Sequence, residues 1–355
     1  MKIKYDCNDK KQGEGYTSLV LHQDRPPQKF MLHQLMLFNP GEPGLLNSLF
    51  SGQLVFHFVA VNFRSRPIMW AGKTPGITMS VARVITLTSL AMLAFAGNSI
   101  LCRVALAHTA IDPASFTTIR LISGALVLWL IVTFRRGDSN GKGSWSSALA
   151  LFVYAAGFSF AYVSLSAGTG ALLLFGAVQV TMISAGLWSG EKLHGWQVVG
   201  LLLAFAGLTG LMLPGLSAPP LLGSALMLSA GVAWGVYSLR GKGAGDATRV
   251  TAGNFLRSVP ITLLLSLGLY QQANLDRDGM LYAMASGALA SGVGYAIWYT
   301  VLPALKNTSA ASVQLSVPVI AAVGGIIFLV EPMTLRLLLT STAILGGIAL
   351  VILKK

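Results

Sequence analysis

From Val84 to the C-terminal lysines the sequence keeps one rhythm: a run of about 20 apolar residues, a short polar break, then another run. An apolar helix of that length crosses the hydrocarbon of a bilayer, where every backbone N–H and C=O must be bonded within its own segment. The rhythm therefore restricts the chain to a bundle of membrane-spanning helices. Ten spans are read, at 84–106, 114–134, 146–166, 169–189, 194–213, 220–239, 252–271, 280–303, 309–330 and 335–353. The breaks carry turn chemistry, as in the Gly-Asp-Ser-Asn-Gly run at 137–141 and the proline-rich stretch 214–220. Asp112 followed by Pro113 reads as an N-cap and first-turn proline opening the second span. Composition agrees, with 54% hydrophobic and 10% charged residues in 355 and a mean hydropathy of +0.67. That leaves too little polar surface to coat a globule in water, which excludes a soluble enzyme or a disordered chain. Cys7 and Cys102 are too few for a disulfide framework.

Charge supplies the orientation. Assigning the breaks alternately to two sides puts Arg83, Arg135, Arg136, Lys142, Lys192, Arg240, Lys242, Arg249, Lys306, Lys354 and Lys355 on the side of the termini. Only Arg103, Arg277 and Arg336 fall on the other. Basic residues collect on cytoplasmic loops, so both termini are expected in the cytoplasm of an inner-membrane protein. The formal charge of +13 is then mostly an orientation signal and implies no nucleic-acid partner. Residues 1–78 show no sustained period; their most apolar stretch, 45–63, is broken by polar side chains. They are expected to form a poorly ordered extension, and Met79 is a candidate for the working start.

The second half echoes the first. An offset of 137 carries Arg103 onto Arg240 and Arg120 onto Arg257; an offset of 140 carries Glu191 onto Glu331 and Gly207 onto Gly347. Each half, 79–213 and 220–355, holds five spans. An odd number of crossings makes the halves enter the membrane in opposite directions. The expected fold is an all-α integral membrane protein with ten transmembrane helices in two inverted five-helix repeats. In transporters of that plan the substrate site lies near the midplane between the repeats.

The residues that carry the repeat also carry a family resemblance. The run Ile111–Leu126 (IDPASFTTIRLISGAL) resembles the second helix of the drug/metabolite transporter superfamily, EamA type. SGEKL at 189–193 and VEPMTL at 330–335 resemble the start of the last helix of each EamA unit. The resemblance covers about 80–355. It implies a permease that moves small metabolites through a central cavity by alternating access, without a cofactor, and more often outward than inward. The second unit has Pro318 thirteen residues before Glu331, as the family does, while the first has Val178 in that place, beside Gln179. A symmetric hinge is thereby put in doubt.

Few polar side chains fall at mid-membrane depth, and each must find a partner or water. Asn98, Gln179 with Thr181, and Gln314 with Ser316 are candidates to hydrogen-bond a substrate or to tie helices together. Trp234 falls beside the position equivalent to Asn98. Tyr154, Phe158 and Tyr162 share one face of the third span, and the eighth carries Tyr295, Trp298 and Tyr299. Two such faces suit either the walls of a cavity for amphipathic, ring-bearing molecules or ordinary packing. Arg120 and Arg257 are expected near helix ends, either snorkelling to the interface or acting as gates that attract anionic groups. Glu191 and Glu331 are expected to open the fifth and tenth helices, where a carboxylate meets the helix dipole. Pro318 is expected inside the ninth helix as a kink and hinge. No carboxylate from Met79 onward falls mid-span, so proton coupling would have to use Glu191 or Glu331.

An intramembrane enzyme would need a nucleophile, base or metal cluster at depth. The histidines lie in the extension or in loops, and there is no His-Glu-x-x-His motif. A channel would show a filter or a ring of charges. The reading is therefore a permease, with a channel or uncoupled facilitator as the alternative. Its expected partners are a small-molecule substrate and the lipid bilayer; a homodimer is compatible with the sequence.

Overall fold

The computed structural model describes residues 79–135, 141–188, 190, 194–215, 218–241, 246–305 and 313–353. The extension 1–78 and Glu191 lie outside them. Ten helices run in order: α1 Val81–His108, α2 Pro113–Phe134, α3 Trp145–Tyr162, α4 Ala167–Trp188, α5 Gly195–Met212, α6 Leu221–Gly241, α7 Ala247–Gly268, α8 Arg277–Val301, α9 Ser316–Leu329 and α10 Leu335–Leu353. Among the described residues nine are long and apolar enough to cross a membrane, and α9 is a shorter apolar helix.

Helix starts follow side-chain chemistry. The Asp112 carboxylate accepts from the Ala114 and Ser115 amides at 2.9 Å with Pro113 in the first turn, as the sequence predicts. Asp246 and Asp276 cap α7 and α8 in the same way, and Ser144 caps α3.

Two elements are irregular. Helix α9 runs from Ser316, and Val313 and Gln314 just before it are helical too, with Leu315 as a turn between them; the helical path therefore breaks just ahead of Pro318, which has no N–H to bond to Gln314. A second proline, Pro260, lies inside α7. Helix α8 is not uniform: Ser286–Val293 winds as a π-helix between two α-helical segments. Glycine-rich sequence favours that close approach. A Cβ at Gly287 would overlap the Ser123 hydroxyl and the Arg120 carbonyl of α2.

Packing obeys a two-fold rule. Helix α2 packs on α7, α4 on α9 and α5 on α10, each helix against its counterpart in the other half. Exchanging the halves also turns α3–α6 into α8–α1, and α4–α6 into α9–α1, and all four contacts exist. The inverted repeat is thus visible in which helices touch. Small residues let backbones meet at these crossings. Gly200 and Gly207 of α5 lie against Gly347 and Ala343 of α10, and Gly231 of α6 against Leu174 and Ala177 of α4.

Polarity is inverted relative to a soluble protein. Large apolar side chains such as Leu93, Leu202, Leu264, Phe328 and Leu339 are exposed, while Asn98, Arg120, Gln179 and Asn254 are buried. Lipid is the solvent that such a surface fits.

Candidate functional site

Ten successive crossings put the α1–α2, α3–α4, α5–α6, α7–α8 and α9–α10 turns on one face, and the remaining turns on the other. Between the two faces an aromatic cluster fills the boundary of the halves. Tyr154 of α3 lies 4.8 Å from Trp234 of α6, ring centre to ring centre, and Trp234 lies 5.1 Å from Tyr295 of α8. Phe95 of α1 meets Tyr295 edge-on at 5.7 Å and Trp298 at 6.0 Å. These separations are those of favourable aromatic pairs. The rings leave about 20 Å³ of free space bounded by Asn98, Tyr154, Phe158, Phe175 and Trp234, room for about one water.

Arg120 sits directly behind this wall. It is 1% exposed and does not snorkel. The correction has a physical reason: its face of α2 is turned into the bundle, where rings and hydroxyls replace water. Its guanidinium carbon lies 5.2 Å from the centre of the Tyr154 ring and 4.9 Å from that of Phe158. Nη2 donates to the Tyr154 hydroxyl at 3.0 Å and Nε to the Ser291 hydroxyl at 3.4 Å. Nη1 has no hydrogen-bond partner among the described residues.

Asn98 extends the network. Its amide nitrogen donates to the Tyr154 hydroxyl at 3.4 Å, and its carbonyl accepts from the Ser286 hydroxyl at 2.6 Å. Ser286 and Ser291 are five residues apart. In an α-helix they would point in different directions; π winding, whose bonds close over five residues, brings them to one side. No α-helical period in the sequence signals that pair.

The other predicted residues are spread out. The Tyr162 hydroxyl donates to the Ala167 carbonyl at 3.2 Å, and its ring covers Gly170, so it braces the α3–α4 turn. Tyr299 is half-buried toward the end of α6 near Gly241. Gln179 is buried in α4 and Gln314 half-buried before α9; neither borders the free space. Arg257 donates to the Lys142 and Gly253 carbonyls on the opposite face from the α1–α2 turn. Arg120 and Arg257, equivalent by offset, therefore do different work. Phe95, Phe175 and Tyr237, stacked on Trp234 at 5.3 Å, belong to the cluster without having been singled out by the sequence.

Glu331 requires a second correction. It does not open α10, which begins four residues later. Val330 takes a left-handed conformation that turns the chain back, and the Glu331 carboxylate accepts from the Ala167 amide at 2.8 Å, capping α4 of the other half. Arg103 pairs with it at 3.1 Å and also donates to the Tyr162 and Val163 carbonyls at 2.9 and 3.1 Å. One latch thus ties α1, the α3–α4 turn and the α9–α10 turn together. On the other face Arg240 reaches Ser146 and Ser147. Polar contacts between distant segments thus occur on both faces of the bundle.

A helical membrane bundle of two interlocked halves, with a small polar and aromatic cavity on their boundary, has the architecture of a transporter for small molecules. The chain belongs to the EamA-like transporter family, whose profile matches residues 82–213 and 221–353. It is 58% identical over 271 residues to an uncharacterized protein of Pseudomonas aeruginosa, covering 76% of this chain and 94% of that one. An uncharacterized transporter of Bacillus subtilis, YvbV, is 24% identical over 283 residues, 76% of this chain and 91% of its own. An uncharacterized transporter of Archaeoglobus fulgidus is 28% identical over 220 residues, 59% of this chain and 77% of its own. A solved crystal structure superposes with a TM-score of 0.57 at 17% identity, over 77% of this chain and 98% of that one, which shows the fold.

Proposed function

We propose that the protein is a secondary transporter of the cytoplasmic membrane that carries small, ring-bearing metabolites by alternating access. Both termini face the cytoplasm in this reading, supported by the skew of basic residues toward their side, and export is the direction taken from the family resemblance. The observation that carries the proposal is the aromatic cavity where the halves meet, with polar contacts between segments distant in sequence on each face. Asn98, Tyr154, Trp234, Tyr295 and Trp298 form its substrate-binding set. Arg103 with Glu331 latches the outer face, and Arg240 with the start of α3 closes the inner one.

Counterflow in proteoliposomes tests this, with aromatic and non-aromatic amino acids, purines, sugars and cationic drugs, with and without a pH gradient. Saturable counterflow of ring-bearing compounds, reduced at least tenfold by Trp234→Ala, is expected. Ohmic single-channel current, or counterflow indifferent to Trp234→Ala, overturns it.

A further inference from the structure

We infer that the aromatic cavity takes an anion: a planar, ring-bearing compound with a carboxylate, whose charge is met by Arg120. The inference rests on the transport reading above and names the substrate class of that site. A guanidinium withdrawn from water inside a membrane bundle is costly unless an opposite charge meets it. Among the described residues none does: the ion pairs are Arg103 with Glu331 and Arg135 with Asp246, both near the faces. Arg120 is instead held by neutral groups, the hydroxyls of Tyr154 and Ser291 and the faces of two rings. One of its terminal nitrogens, buried, has no hydrogen-bond partner. Two of its tethers are ready to change hands. The Tyr154 hydroxyl accepts from both Arg120 and Asn98, so an incoming carboxylate could take either donor and leave Tyr154 the other. The long 3.4 Å bond to Ser291 is the weakest of the set.

The geometry selects the ligand. A guanidinium presents a planar fork that matches a carboxylate with two parallel hydrogen bonds. Tyr154 and Phe158 each contact the guanidinium and line the free space, so the fork and the space are one side chain apart, and a bound carboxylate reaches the fork by displacing Tyr154. Trp234 and Tyr295 then offer faces for a ring one bond or two beyond the carboxylate. A cation would meet Arg120 as a like charge, and a neutral ring would leave the fork unmatched.

The test uses the full chain purified in detergent and four probes of one shape: 2-naphthoate, 2-naphthamide, 2-naphthylmethylamine and 2-naphthyl phosphate. Binding is read by calorimetry and by the shift in melting temperature. Naphthoate is expected to bind at least tenfold more tightly than naphthamide, and the amine more weakly than either. Arg120→Gln should erase the preference for naphthoate and leave naphthamide within about twofold. If Arg120→Gln does not fold, Arg120→Lys is read instead, and should weaken naphthoate at least threefold with naphthamide unchanged. The phosphate arm separates a carboxylate site from a general anion site: phosphate binding more tightly than naphthoate overturns the carboxylate assignment. Amide or amine binding as tightly as naphthoate, or a preference that survives Arg120→Gln, overturns the anion inference alone. Failure of all four to bind overturns the aromatic cavity with it.

Discussion

At the scale of the residue, Tyr154 is the hinge of the polar network. Its hydroxyl accepts from Arg120 and Asn98 at once, so removing it strands two buried donors. Tyr154→Phe, which keeps the ring, should cost about 1–3 kcal/mol of unfolding free energy in mixed micelles. A cost near zero would mean that the donors find other partners. Glu331 answers to a different measurement. Cys102 is fully buried one residue before Arg103, so its thiol reports on the latch. In a chain whose Cys7 is replaced by Ser, Glu331→Gln should raise alkylation of Cys102 by a membrane-impermeant maleimide several-fold from outside. No change would place the outer closure elsewhere. The sequence made the aromatic residues and Asn98 legible, because rings and amides are conspicuous in an apolar span. It left Arg120 open between snorkelling and an inward role, because position along a helix does not reveal which way a side chain faces, and it misplaced Glu331, because nothing local says that a carboxylate will cap a helix of the opposite half.

At the scale of the element, the π segment of α8 decides how the site is built. It brings Ser286 and Ser291 to Asn98 and Arg120, and it needs Gly287 flat against α2. Gly287→Ala should destabilise the protein by about 1–3 kcal/mol through overpacking, and should lower transport more than a lipid-facing control such as Leu289→Ala. Equal effects would show that the contact yields. Ten runs and the Asp112–Pro113 start of α2 were readable, since length and Asp-Pro chemistry are local properties. The π winding was not, because it follows from contact with α2. The break at Leu315, just ahead of Pro318, is by contrast a local effect of a missing N–H and was legible from the proline.

At the scale of the whole molecule, the two halves are related in how they pack and unequal in what they do. Arg120 and Arg257 occupy equivalent positions, yet one is sunk behind the cavity and the other tied to backbone at a face. The inverted repeat was legible from the odd number of spans, because crossing a membrane five times leaves no other choice. The division of labour was not, because equal sequence positions do not guarantee equal surroundings. Topology can be checked directly. A fluorescent protein fused after Lys355 should light up in the cytoplasm, and alkaline phosphatase fused after Thr109 should be active outside. The reverse pattern would invert the proposed orientation.

The size of the cavity has a kinetic consequence. A space for one water holds no naphthalene-sized molecule, so in the proposed transport cycle this is a form that substrate cannot occupy. In that cycle substrate waits for a conformer that has already opened. Its measured affinity is then weaker than the affinity of that conformer by the fraction of time the carrier spends open. At high substrate concentration the binding rate should level off at the rate of opening. Variants that loosen the latch should therefore bind more tightly and saturate at a faster rate, even though they have lost a favourable contact.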